Sequence, residues 1–241
     1  EVTLLLTANP SYAGSITANP AGPYHYGDVV QITAVPNTPF DFANWGQDLA
    51  GSTNPISITL NSNKAVTALF VPKEYTLDLQ QLGEGTVAKN PDKETYHFGD
   101  SVTLTATPAE GWAFAGWTGD KTSSQLQIQL TIDENPAVLA TFTQQLYSLT
   151  VRSNPEAGGP VHLNNTGPIY YYDDVIELSA DPVYGYHFVN WDGDLTGTTT
   201  PATLRITGNM IVTANFAPDP VTLTVNISPV GSGIVNQEPT G

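Results

Sequence analysis

The sequence predicts an all-β fold of three small tandem antiparallel beads (sandwich-like, barrel-like or β-grasp-like), followed by the first hairpin of a fourth. Three observations carry this. Trp45, Trp117 and Trp191 recur at intervals of 72 and 74 residues, and Phe70, Phe142 and Phe216 keep the same intervals, as do Asp28, Asp100 and Asp174. Between these marks apolar residues alternate with polar ones at period two, as strands do when one face meets a core and the other meets water. Gly (21) and Pro (19) punctuate the chain, and no helical period outlasts a single turn. A fixed period of this size marks tandem units. The units are 1–72, 73–144 and 145–218, with a partial fourth over 219–241.

The first strand of each unit puts Leu4 and Leu6, Leu77 and Leu79, Leu149 and Val151, and Leu223 and Val225 on one face. A turn rich in Asn-Pro or Gly leads to a short return strand such as Gly85-Thr86-Val87. Next come the inward sets Val30, Ile32, Ala34; Val102, Leu104, Ala106; and Ile176, Leu178, Ala180, ended by Pro36, Pro108 and Pro182. Proline ends a strand because it has no N–H for the ladder. Two rings on one face follow (Phe40 and Phe42, Trp112 and Phe114, Tyr186 and Phe188), just before the repeated Trp. Ile56, Ile58, Leu60 and the closing Val66, Ala68, Phe70 have counterparts in every unit. Beads of this size lie near the lower limit for a self-sufficient core, and the aromatics compensate. The short links Val71-Pro72-Lys73, Thr143-Gln144-Gln145 and Ala217-Pro218-Asp219-Pro220 predict a semi-rigid array.

Charge narrows the partners. The chain carries 23 acidic and 7 basic residues, a net charge of −16, and no Cys. The four units contribute −3, −6, −5 and −2. Nucleic acid and anionic membranes need a basic face, so neither is an expected partner. No apolar run approaches the ~20 residues that span a bilayer. Without Cys there is neither a disulfide framework nor thiol chemistry.

The stretches "GDSVTLTATPAEGWAFAGWTGD" (99–120), "GDVVQITAVP" (27–36), "GYHFVNWDGD" (185–194) and the closing "KAVTALF", "PAVLATF" and "MIVTANF" resemble the divergent internalin-B-type repeats, the bacterial repeat modules of secreted and cell-surface proteins. The resemblance covers essentially the whole chain. It departs where Asp173 replaces the Gly before Asp174, and where the turn "QQLGEG" lacks a Pro. It implies an extracellular or cell-surface prokaryotic β-repeat that spaces or presents other parts, as a stalk, adhesin shaft or fibre subunit. The family brings no shared catalytic residues and no cofactor.

"NWDGDLTG" (190–197) begins like a calcium loop, with Asp192 and Asp194 as candidate ligands. Their equivalents are Gly46 and Asp48, and Thr118 and Asp120; only the second Asp recurs, and Thr203 stands where a bidentate carboxylate is needed. A turn closed by the Asp on its own backbone is the expectation. "PYHYGD", "TYHFGD" and "IYYYDD" read as strand, with Tyr24, Tyr96 and Tyr170 sharing a face with Tyr26, Phe98 and Tyr172. Tyr24, Tyr96 and Tyr170 are either core rings or a sugar-stacking platform, and core packing is the expected reading because every bead repeats them. No repeated carboxylate pair, Ser-His-Asp set or phosphate loop is present, so no enzymatic activity is expected. The expected partners are neighbouring repeats or other copies of the chain, with surface glycans as the alternative of a carbohydrate-binding array. Residues 219–241 read as an incomplete bead or an inter-subunit hairpin, with Leu223, Val225, Ile227 and Val235 as its apolar set.

Overall fold

The computed structural model describes residues 1–226, 228, 229, 233, 234 and 236. It divides into two compact units, Glu1–Thr143 with the first two repeats and Gln144–Gly241 with the third. Repeat 1 contains β1 (Leu4–Asn9), β2 (Gly14–Asn19), β3 (Val29–Pro36), β4 (Phe40–Gln47), β5 (Ile56–Thr59) and β6 (Lys64–Pro72). Repeat 2 opens with the short β7 (Glu74–Tyr75), then β8 (Asp78–Leu82), β9 (Gly85–Asn90), the short β10 (Tyr96–His97), β11 (Ser101–Pro108), β12 (Trp112–Gly119), β13 (Gln127–Thr131) and β14 (Ala137–Gln144). Repeat 3 holds β15 (Leu149–Asn154), β16 (Val161–Leu163), β17 (Val175–Ala180), β18 (Tyr186–Gly193), β19 (Ala202–Arg205) and β20 (Met210–Pro218), with one turn of 3-10 helix at Glu156–Gly158. The all-β fold class is as expected.

Each bead is a sandwich of two three-stranded sheets, and in repeat 2 the short β7 and β10 pair as a separate antiparallel ribbon. In repeat 1 the sheets run β1-β6-β4 and β2-β3-β5; repeats 2 and 3 give β8-β14-β12 with β9-β11-β13, and β15-β20-β18 with β16-β17-β19. The expectation of wholly antiparallel beads needs correction. The first long strand and the last strand of each bead are parallel neighbours, from Leu4 against Lys64 to Asn9 against Leu69, and likewise β8 with β14 and β15 with β20. Nor do the first two strands form a hairpin, because they enter different sheets. The reason is burial: Leu4, Leu6 and Ala8 of β1 and Ile16 and Ala18 of β2 pack against one core, which they do as opposing layers.

The expected inward sets are the core. Val30, Ile32, Ala34, Val66, Ala68 and Phe70 are buried in bead 1, and their counterparts are buried in beads 2 and 3. Phe42 and Trp45 are three residues apart, so strict alternation would put them on opposite faces. A register shift between Phe42 and Asn44 turns Trp45 inward, and the same shift lies between Phe188 and Asn190. The rings then meet, with centroids 4.8 Å apart for Phe42 and Trp45, 5.3 Å for Phe114 and Trp117 and 5.0 Å for Phe188 and Trp191. Among the described residues no polar or charged residue is buried.

Candidate functional site

Most of the repeated polar residues turn out to be bonded within their own bead. The buried Trp comes first. Its indole Nε1 donates to the carbonyl eight residues on, Thr53 at 2.9 Å, Gln125 at 2.8 Å and Thr199 at 2.9 Å. Its backbone N–H donates to Gly51, Ser123 and Gly197. One side chain therefore fills the core and pins the loop that crosses it.

The second Asp of the acidic stretch has a different role from the one expected. It does not close a local turn on itself. The Asp194 carboxylate accepts the Ile211 N–H at 2.7 Å, while the Asp194 N–H donates to the Ile211 carbonyl at 2.9 Å. Asp48 does the same with Ala65, and Asp120 with Ala137. Each Asp thus extends the ladder past the end of β18, β4 or β12 and satisfies one N–H at the start of the closing strand. This explains why only the second Asp recurs. Asp192 is exposed on β18 opposite Thr213. Among the described residues no three His, Cys, Asp or Glu side chains gather into a metal-sized group. Replacing Asp120 by Ala should cost about 1 kcal/mol, and by Asn much less, because Asn keeps the acceptor oxygen. Urea unfolding of the two variants checks this: equal losses would mean that charge, not the cross-strand bond, is what counts.

A third device ties together the starts of the two parallel strands in the first sheet. Asn63, Asn135 and Asn209 accept the N–H of Thr3, Thr76 and Ser148 at 2.9, 2.8 and 2.9 Å. Nothing in the strand alternation marks these residues, although their spacing repeats that of the Trp.

The tyrosine stretches also differ from expectation. They are not continuous strand: β10 ends at His97, and the chain turns over His97–Asp100. Asp28, Asp100 and Asp174 close the three turns by accepting the N–H of His25, His97 and Tyr171 at 2.8, 3.1 and 2.8 Å. The Asp100 carboxyl is held below its ordinary value chiefly by the His97 N–H, with Lys93 adding attraction. A depressed carboxyl stabilises the fold above its unfolded pKa and loses that contribution as the pH falls through the lowered value. Tyr24, Tyr96 and Tyr170 point inward. Tyr96 and Tyr170 are buried and Tyr24 is half-buried, and each hydroxyl donates to a carbonyl of its own bead, Pro20, Pro91 or Asn165. The rings of Tyr96 and Tyr170 are covered by core, as the core-packing expectation has it, while Tyr24 keeps part of its ring at the surface. Tyr26 and Phe98 instead face water, 77% and 51% exposed, and Tyr172 is half-buried.

After Pro218 no described residue lies in a strand. Leu223 and Val225 are 73% and 51% exposed; Ile227 and Val235 lie outside the described residues. Among the described residues no helix is long and apolar enough to cross a membrane.

A search of curated proteins returns no match. Among solved structures, the Bacillus anthracis TIE protein aligns at 8% identity with a TM-score of 0.42, over 88% of this chain and 49% of its own. The chain thus spans about half the length of that protein. The family described as the divergent InlB B-repeat domain matches three times, at residues 4–74, 75–146 and 149–220. With every bead matched in turn, the chain belongs to the divergent InlB B-repeat domain family.

Proposed function

We propose that the chain is a non-catalytic extracellular spacer of a bacterial surface protein, a stalk or shaft segment that bears tension. Membership of a repeat family typical of bacterial surface proteins supports the location. The observation that carries the role is the parallel pairing of the first and last strands in each bead. A chain that enters at the start of β1 and leaves at the end of β6 passes through opposite ends of one ladder. Tension on the chain therefore slides β1 along β6 and strains the evenly spaced bonds of a parallel ladder together. A hairpin pulled at its open end would instead lose its bonds one at a time. The Asn63, Asn135 and Asn209 bonds to the residues just before these ladders add a further tie where the chain enters.

Single-molecule pulling on the intact chain tests this. Three unfolding steps are expected, each releasing about 230 Å of chain, the extended length of a ~72-residue bead less its folded span. Their forces should far exceed that of a hairpin peeled from its open end. Beads that yield at hairpin-like forces would sink the tension-bearing reading.

A further inference from the structure

The outer face of the first sheet is filled in beads 1 and 3 and hollow in bead 2. In bead 1 the Gln47 side chain reaches onto the middle strand and donates to the Thr67 hydroxyl at 2.7 Å. Asn44 folds onto the Trp45 carbonyl at 2.9 Å. In bead 3 Asn190 bonds the Trp191 carbonyl in the same way, and Ile211 and Asp192 stand on the middle and edge strands. Bead 2 lacks each of these fillers. Gly116 stands for the Asn, Gly119 for the Gln, Ala137 for the Ile and Thr118 for the Asp. Two hollows that share Thr118 are left. One, of about 220 Å³, lies over Ala137, Val138 and Leu139 and is bounded by Asp78 and Gln80. The other, of about 340 Å³, is lined by Gly116, Ser123, Ser124 and Thr141.

The fold does not ask for this arrangement, because the other beads build the same sheet without it. The counterpart of Leu139 is Thr67 or Thr213, and the counterpart of Asp78 is Leu5 or Thr150. Leu139 has no core to join. Its neighbours Val138 and Ala140 are the buried residues of β14, while Leu139 lies half-buried on the outside. One face of bead 2 has therefore lost its fillers, gained an apolar floor and gained a carboxylate at the rim. An apolar floor with a few placed polar groups is the usual make-up of a binding groove.

Charge narrows the occupant. Asp78 is the ladder partner of Ala137, and Asp120 accepts the Ala137 N–H at 2.8 Å, so two carboxylates flank one end of the aliphatic floor. The Gln80 amide meets Asp78 at 3.0 Å, and no residue lining either hollow is basic. The bead as a whole carries −6, which repels an anionic ligand. An aliphatic stem tipped with a positive charge matches on both counts, since Lys and Arg lay their stems along apolar surface and leave the charged head at its rim. We propose that this groove docks a lysine or arginine side chain of a basic partner segment, with the stem over Ala137 and Leu139 and the cation at Asp78. The hollow beyond Thr118, with the hydroxyls of Ser123, Ser124 and Thr141, takes the adjoining residues of that segment. A single contact of this kind holds on the order of millimolar.

Amide chemical shifts of the full chain test the proposal, followed during titration with short Gly-Ser peptides that carry one central Lys, Arg, norleucine or Glu. The Lys and Arg peptides are expected to move Gln80, Thr118, Ala137 and Leu139 saturably. Norleucine keeps the stem without the charge, and it and Glu should bind about tenfold more weakly. Diffuse attraction to an acidic chain is separated by two variants. A137I/L139T restores residues that the other beads carry and leaves the charge unchanged. It should weaken the Lys peptide about tenfold with its circular dichroism spectrum unchanged. D133N/E134Q removes two charges from an exposed loop of the same bead and should change binding less than about twofold. Absence of shifts at the four amides would overturn the proposal, as would equal binding of norleucine. Shifts spread over the acidic loops, binding that survives A137I/L139T, or equal losses in the two variants would reduce the effect to net charge and overturn it too. The groove lies within bead 2 and stands independently of the tension-bearing reading, which the pulling experiment examines without peptide.

Discussion

Trp191→Ala is expected to destabilise the third bead by about 3–5 kcal/mol, the usual cost of truncating a fully buried Trp. Trp191 is 1% exposed, packs its ring at a tilt against Phe188 and donates its indole N–H to the Thr199 carbonyl. Removing it opens a cavity and also frees the loop from Trp191 to Thr199, whose carbonyl then has no donor from the core. A bead of ~72 residues has roughly 4–11 kcal/mol in total, at ~0.05–0.15 kcal/mol per residue. The substitution therefore takes a large share of what holds Gln144–Gly241 together, while Glu1–Thr143 has its own cores. Calorimetry should resolve two transitions in the variant, the lower one displaced by more than about 12 °C. Trp191→Phe should recover part of the loss, because it restores volume but not the bond to Thr199. A variant that melts like the parent protein would show that the Trp is a passenger in the core.

How far this architecture could be read in the sequence depends on what each feature leaves behind in the residue order. Burial leaves alternation, so the inward sets Val30-Ile32-Ala34 and Val66-Ala68-Phe70 were legible, and the period of the Trp residues gave the bead count. Pairing direction leaves nothing: Leu4 and Leu6 alternate in the same way beside a parallel or an antiparallel neighbour, and the partner of β1 is about 60 residues away. The two bulges were hidden for the opposite reason, since Phe42 and Trp45 look like a lapse in alternation until the ladder shifts between them. The roles of Asp48, Asp120 and Asp194 were half legible. Recurrence marked them, but an Asp bonded to its own turn and one bonded across to the next strand have the same local sequence. The ring-bearing turns misled because Tyr-His-Tyr reads as strand, while the Asp two residues later folds it into a turn and sends Tyr24 inward and Tyr26 outward.

The glycines make the same point and supply the second large effect. Gly85 and Gly99 look alike in sequence, each in a turn-like context before a strand, yet different forces hold them. A Cβ on Gly85 would stand 2.8 Å from both Phe142 Cζ and the Thr107 carbonyl oxygen, closer than real contacts allow. Gly14 meets the Phe70 ring and the Val35 carbonyl in the same way, and Gly158 meets the base of the Phe216 side chain, so each bead keeps a glycine where the closing Phe lies against backbone. Gly99, by contrast, has open space around its missing Cβ, and only its φ of 84° constrains it. Gly85→Ala is therefore expected to cost about 3 kcal/mol, because neither the strand carbonyl nor a core ring can retreat far in a packed interior. Gly99→Ala should cost about 1 kcal/mol, the strain of a left-handed backbone at an L-residue. Gly99→Asp should cost less still, since bead 3 already holds Asp173 there at φ 73°. Pairing Gly85→Ala with Phe142→Leu separates the two obstacles. The shorter side chain removes the ring contact but leaves the Thr107 carbonyl, so the double variant should be less destabilised than the two single losses added together. Urea unfolding of the five variants, Phe142→Leu alone included, decides the matter. Equal losses at Gly85 and Gly99, or strict additivity with Phe142→Leu, would mean that backbone conformation alone explains both glycines and that the closing Phe does not rest on Gly85.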